Sequence, residues 1–314
     1  MRTGLPDGVQ LSDGAWPGSL AVSFSGFHTK NSITIDEGPG ARELLLWAAG
    51  LCADLHATFA PRDPQSELAR INAGTGIFEL SCPMAELLSS ALSFSQEEPA
   101  FDCTIGASSF LWKWTEGLPS DEEVERARMH TGAQHLVLNG RTLEKRDPSL
   151  RLDFGSCAKG YAADKIAARF REEGVCRADI DLGGNLYLLG QHPENRPWHL
   201  VVDLPDGLRP EPIAFEVTDS SVVTSSCLER PLVKDGMRFH HLIDPRTGRP
   251  SRSNVASATV VSKSSLEADM LSTALLIGGM EAVEGRGARY PGCGFIAVDS
   301  TGSMRSAGEV NLRG

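Results

Sequence analysis

A chain of 314 residues that is 41% hydrophobic and 23% charged can hold one large globular domain or two ordinary ones. Thirty basic residues against 41 acidic ones leave a net charge of −11, which argues against a nucleic-acid or anionic-membrane surface. Seven cysteines, an odd number with no Cys-x-x-Cys pair, read as the reduced thiols of a cytoplasm and not as a disulfide frame or a zinc site.

Residues 1–18, rich in Gly, Pro and Asp, are expected to form a loose arm, and no signal peptide is evident in them. The longest apolar run, 44–49, is far too short to span a bilayer. Strands are expected over 20–25 and 32–35. A helix over 41–59 repeats Leu44, Leu45, Cys52 and Leu55 at near-helical spacing. Residues 66–71 form a turn or short helix after a Pro-containing loop, and 83–97 and 121–129 are further helices. Residues 135–153 read as strands broken at Asn139-Gly140.

A helix over 159–173 places Ala162, Ile166 and Phe170 on one face and stops at Gly174. Strands follow at 177–182, 184–189 and 198–203. The Pro/Gly/Asp stretch 204–213 is the best internal joint. Further strands are expected at 213–225, 238–244 and 255–262. Ser264 and Glu267 make a capping-box pattern ahead of a helix that runs to Gly278-Gly279, and a last strand covers 293–298. Strands outnumber helices and often follow one another directly, which favours an α+β fold over a doubly wound sheet.

Four stretches carry chemistry. Asp269 and Thr273 stand one turn apart on a helix and offer hard oxygen ligands to a divalent ion, unless the Asp is merely solvated and the Thr bonds back into its own helix. Asp153 and Lys159 flank Gly155-Ser156-Cys157-Ala158, where small residues entering a helix allow close approach of an anion; an ordinary tight turn reads equally well. Cys157 reads better as a buried thiol than as a nucleophile. In RFHHLIDPRTG, a strand over 238–243 would send His241 and Ile243 to one side and His240 to the other, so that one histidine enters a cleft; both could instead be structural. FDCTIG followed by Leu111-Trp112-Lys113-Trp114 suits a pocket for a flat ring or plain core.

In their order and company these segments resemble the FAD:protein FMN transferases, the ApbE-type flavin transferases, from about residue 24 to 276. FAPRDPQSELARIN resembles that family's Ser-Glu-Leu…Asn element, with extra residues before Ser66, and FDCTIGASSFLWKW resembles its Asp-x-Thr-x-Gly…Leu-Trp element. LDFGSCAKGYAAD, DLGGN at 181–185, HHLIDPRTGRP and ADMLSTAL match closely. The resemblance implies a T-fold-like α+β protein, mixed or antiparallel sheets with flanking helices around a central FAD cleft. It implies a single domain over 19–314, or two subdomains meeting near 204–213. FAD contacts would fall on Ala100, Phe101, Asp102, Asp153, Lys159 and Ile243, and Mg²⁺ on the Ser156 carbonyl, Asp269 and Thr273.

The implied reaction is Mg-dependent transfer of FMN from FAD to a Thr or Ser hydroxyl of a target flavoprotein, through a phosphoester bond, with release of AMP. Lys159 would steady phosphate charge, His241 would take the proton of the acceptor hydroxyl, and Asp269 could share that role. The alternatives are a metal-dependent FAD pyrophosphatase and a flavin-binding protein without turnover. Two departures from the family pattern are Phe27-His28-Thr29, where the family has Met-Gly-Thr, and Thr224-Ser225-Ser226-Cys227-Leu228, where it has Thr-Ser-Gly-x-Tyr. Many members are exported or lipid-anchored. With neither signal, this chain is expected to act in the cytoplasm, without membrane insertion or nucleic acid.

Overall fold

A computed structural model describes residues 6, 8–114, 116–202, 204, 208–209, 211–226 and 232–313. Its spine, among those residues, is a nine-stranded sheet: Gln10–Asp13, Ser19–Gly26, Thr29–Asp36, Ala178–Asp181, Asn185–Leu189, Ser220–Ser226, Val255–Ser262, Gly294–Asp299 and Met304–Gly308. Spatial order equals chain order and every pairing is antiparallel, so the sheet is a meander from which long excursions depart and return.

The central strands are apolar on both faces. Val223, Val260, Phe295 and Ala297 point into the main core, beneath the helices. Their neighbours Val222, Val261, Ile296 and Val298 point the other way, into a second core closed by a three-stranded sheet of Trp198–Val201, Ala214–Val217 and Asn311–Arg313. Period-2 alternation between two cores explains why all of Val255–Ser262 is buried.

The excursions supply the helices. Ala41–Phe59, Glu67–Ala73, Cys82–Glu97, Gly106–Trp114, Asp121–Met129 and Ala158–Glu172 lie between the third and fourth strands of the sheet. Ser265–Gly278 and Val283–Arg289 lie between the seventh and eighth. The α+β architecture is as expected, and the helices Ala41–Phe59 and Asp121–Met129 and the strand Val255–Ser262 have the expected bounds.

Several stretches differ from their sequence patterns. The strand expected over 213–225 is two strands in different sheets, because Asp219 turns the chain at φ 48°. Within the expected arm, Gln10–Asp13 adds an edge strand, and Val9 and Leu11 pack on the main core. Gly106–Trp114 and Val283–Arg289 are helices that were not foreseen, and 146–153 makes only an isolated bridge from Arg151 to Ile105. In the joint expected at 204–213, positions 205–207 and 210 lie outside the described residues. No helix among the described residues is long and apolar enough to cross a membrane. Cys52, Cys82, Cys103, Cys157, Cys176 and Cys293 are all free thiols.

Candidate active site

Two helices meet end to side. Gly160, in the first turn of Ala158–Glu172, lies so close to the start of Ser265–Gly278 that a Cβ would sit 2.4 Å from the Ser265 carbonyl oxygen. One turn on, Asp164 caps the second helix: its carboxylate accepts from the Ser265 N–H at 2.6 Å, the Leu266 N–H at 3.0 Å and Ser264 Oγ at 2.7 Å. Ser264 Oγ accepts from the Glu267 N–H, the expected half of a capping box. The Glu267 carboxylate instead accepts from Ser262 Oγ at 2.5 Å, because the Ser264 N–H that it would take in a capping box donates to that same Ser262 Oγ at 3.2 Å.

This clasp brings Asp269 onto the loop that enters the first helix. Asp269 Oδ2 accepts from the Gly160 N–H at 3.0 Å, and the side chain is buried. Burial pushes its carboxyl above the usual range, while the Lys159 charge, the Gly160 N–H and Asn185 pull it back. Lys159 Nζ donates to the Gly183 carbonyl at 3.4 Å. Asp269 is therefore not a solvated surface acid. Thr273 is buried beside it and, among the described residues, does not bond back into the helix; Ser272 Oγ does so, onto the Asp269 carbonyl.

Ser156 is half-buried in the turn before the first helix. Among the described residues no three His, Cys, Asp or Glu side chains gather as a metal cluster, so a cation here would meet one carboxylate and neutral oxygens. That donor set suits Mg²⁺, which takes few protein ligands and keeps several waters. Cys157 is buried and its thiol is pushed well up by burial, which makes it inert.

A second pair of segments zips together beside the first. The Asp153 N–H donates to the Cys103 carbonyl at 2.9 Å, and the Gly106 N–H donates to the Arg151 carbonyl at 2.9 Å. Asp102 Oδ1 accepts from the Thr104 N–H and hydroxyl, and burial raises its carboxyl pKa against those bonds. Asp153 differs. Burial opposes its charge too, but Lys113 at 3.0 Å, Ser109 Oγ at 2.6 Å and the Gly155 N–H at 2.9 Å hold it below the ordinary value. Ala100 and Phe101 are buried, with Phe101 edge-on to Phe94.

Asn72 buttresses the site from behind. Its amide donates to the Leu152 carbonyl at 2.9 Å and accepts from the Leu152 N–H at 2.7 Å, fixing the residue before Asp153. The fully buried Lys145 amine closes the end of the Glu67–Ala73 helix through the carbonyls of Ile71, Asn72 and Gly74. The Ser-Glu-Leu…Asn element thus acts as scaffold.

The histidine segment needs correction. Strands cover only Met237–Phe239 and Ile243–Asp244, so His240 and His241 lie between them and strand alternation does not set their directions. Their rings stack at 5.2 Å and 17°. His240 Nδ1 accepts from the Leu242 N–H at 2.9 Å, and burial lowers its pKa to about 4. Half-buried His241 lies on this neutral neighbour. Ile243 is buried with Trp112 and Val124, and Trp112 Nε1 donates to the Gly248 carbonyl at 2.9 Å. Trp112 is therefore core; Trp114 is exposed, stacked on Phe110 with the Arg62 guanidinium above it.

The two departures flank this region. Phe27 and His28 form a turn with both φ values positive, at 51° and 60°, and pack edge-on to His56. Thr29, next in that turn, lies against Gly183, the residue whose carbonyl receives Lys159. Ser225 shares a hydrogen bond with Ser272, one residue before Thr273; Cys227 and Leu228 lie outside the described residues.

Sequence reasoning missed Asn72, Ser109, Lys113, Gly160 and Asp164 as site builders. A Gly and an acid four apart on one helix face, as at 160 and 164, was the signal available.

The family model described as the ApbE family matches residues 27–289. The FAD:protein FMN transferase of Vibrio cholerae serotype O1 is 33% identical over 225 residues, covering 69% of this chain and 67% of its own length. That of Escherichia coli K12 is 31% identical over 229 residues, covering 69% and 65%. The chain thus spans about two thirds of the length of these curated relatives. The solved flavin transferase ApbE from Vibrio cholerae superposes with a TM-score of 0.80 at 27% identity, over 95% of this chain and 97% of that one.

Proposed function

The chain belongs to the ApbE family, and from that premise we propose that it is an FAD:protein FMN transferase acting on a Thr or Ser hydroxyl of an acceptor flavoprotein. The observation that carries the reading is Asp269: a buried carboxylate delivered by one helix to the Gly155–Gly160 entrance of another, with a lysine beside it. Such an acid is costly to bury unless a cation or a ligand completes it.

The Ser156 carbonyl, Asp269 and Thr273 would hold Mg²⁺, which would supply charge neutralisation at the FAD pyrophosphate when bound. The chain's own residues do the rest. Ala100, Phe101, Asp102, Asp153 and Ile243 bind and orient FAD, the two acids being held rigid by bonds from Thr104 and from Lys113 and Ser109. Lys159 offsets negative charge on the transferring phosphate or the departing AMP. His241 accepts the acceptor hydroxyl's proton as that oxygen bonds to the FMN phosphorus and the P–O bond to AMP breaks. The free thiols support a reducing, cytoplasmic setting.

Incubation with FAD, Mg²⁺ and candidate acceptors tests this, read by mass spectrometry of the acceptor and by AMP. Acceptor heavier by FMN less water, with AMP in equal amount and both abolished by chelation, is the expected result. AMP and free FMN without labelled acceptor would replace transfer with FAD pyrophosphate hydrolysis. Unchanged FAD would leave flavin binding alone.

A further inference from the structure

Glu98 and Arg286 are 188 positions apart, yet they form a buried, two-pronged ion pair, Nε to Oε2 at 3.1 Å and Nη2 to Oε1 at 2.8 Å. Each side chain is only 7% exposed. Neither residue touches the site directly, but each is bonded to a segment that builds it. The Glu98 carbonyl accepts from the Phe101 N–H at 2.9 Å, and its Oε1 accepts from the Ala100 N–H at 3.5 Å. Arg286 Nη2 also donates to the Ala274 carbonyl at 3.0 Å, in the helix of Asp269 and next to Thr273. Arg246, clamped by Asp244 in the turn after Ile243, lies near enough to feel the Glu98 charge.

Gly278, one turn after Ala274 on the same helix, leaves room for the guanidinium: a Cβ there would stand 2.6 Å from Nη1 and 2.9 Å from Nη2. A planar, multiply bonded group wedged between backbone segments resists sliding in a way a single amine does not.

We propose that Arg286 is a positioning residue, bridging Glu98 to the Ala274 carbonyl so that the 100–102 segment, which faces FAD, stays in register with the Asp269/Thr273 helix. The inference rests on the transferase reading of the site. What the bridge adds is the relative placement of two segments whose groups must act on one ligand, where small displacements are costly.

The test uses Arg286→Lys, Glu98→Asp and Gly278→Ala, since deleting either charge outright would strand its partner in the core. Thermal melting, FAD titration followed by flavin fluorescence with and without Mg²⁺, and steady-state KM and kcat are measured on each. Arg286→Lys is expected to melt cooperatively and to raise KM for FAD at least about tenfold, with a higher Mg²⁺ requirement. Gly278→Ala, which keeps both charges but crowds the guanidinium, should shift KM in the same direction. Glu98→Asp, which keeps the charge and both acceptor oxygens but draws them back by one methylene, should shift KM in the same direction. Variants with lowered melting temperature but unchanged KM, kcat and Mg²⁺ dependence per folded molecule would reduce the pair to a structural staple and overturn the proposal. Wild-type protein that binds no FAD would instead refute the transferase reading, so the two failures are distinct.

Discussion

Asp269→Asn separates what the acid does for the fold from what it does for chemistry. Asparagine keeps an oxygen that can accept from the Gly160 N–H, now bonded at 3.0 Å. Exchanging a charge-assisted bond for a neutral one loses roughly 1 kcal/mol. Against that, burial disfavours the charged carboxylate, so removing the charge relieves a desolvation cost that offsets part of the loss. Stability should change by no more than about 1 kcal/mol, a melting shift of roughly 2 °C in a chain this long. Activity should behave differently. If this carboxylate is the one charged ligand for Mg²⁺, losing it forfeits several kcal/mol of transition-state stabilisation, about a hundredfold or more in rate. Thermal melting with and without Mg²⁺, together with flavin transfer at limiting Mg²⁺, decides the matter. Transfer within a few-fold of wild type would sink the metal assignment. Collapse of the fold would show that the clasp depends on the charge itself.

His241→Ala should lower the transfer rate by about 10²–10⁴-fold while FAD affinity measured by fluorescence stays near wild type; a larger rate loss from His240→Ala would exchange the two roles. His240, held neutral with a pKa of about 4, binds fewer protons folded than unfolded, so its contribution to stability is lost as pH falls from about 6.5 toward 4. That loss approaches about 3 kcal/mol, and His240→Gln should flatten the corresponding part of a denaturation-versus-pH curve; an unaltered curve would refute the burial of this ring. Asn72→Ala strands the N–H and carbonyl of Leu152 in the core, costing about 2–5 kcal/mol by urea denaturation and weakening FAD binding through Asp153; unaffected FAD binding in the folded variant would deny the buttress.

The sequence carried more of the fold than of the site's framework. Elements with strong periodicity or clear punctuation, such as Ala41–Phe59 and Ala158–Glu172 ahead of Gly174, were legible to within a residue. Gly106–Trp114 was not, because at nine residues it is too short for its periodicity to stand out. The 213–225 stretch looked continuous since both of its strands are β-rich, and only the left-handed Asp219 separates them. At the site, Asp269 and Thr273 were readable because one helical turn lies between them. Asn72 and Leu152, or Glu98 and Arg286, are related only through the closed fold, and nothing local marks a long-range hydrogen bond.

Most of the site grows from two excursions of the meander, and its construction follows from that. The stretch between the third and fourth strands brings the 100–109 and 151–160 segments; the stretch between the seventh and eighth brings Asp269 and Thr273. Neither excursion can complete the arrangement alone, so the contacts that join them carry as much of the function as the groups that meet the ligand. Gly160 sets the distance by having no side chain, Asp164 sets the angle by capping the facing helix, and Arg286 ties that helix back to the Glu98 turn. Each joint includes a close backbone contact or a hydrogen bond to backbone, and Arg286 adds its ion pair with Glu98. Asp269 stands where the two excursions meet, held by the Gly160 N–H and the Lys159 charge, and a buried acid so placed suits a divalent ion at a pyrophosphate.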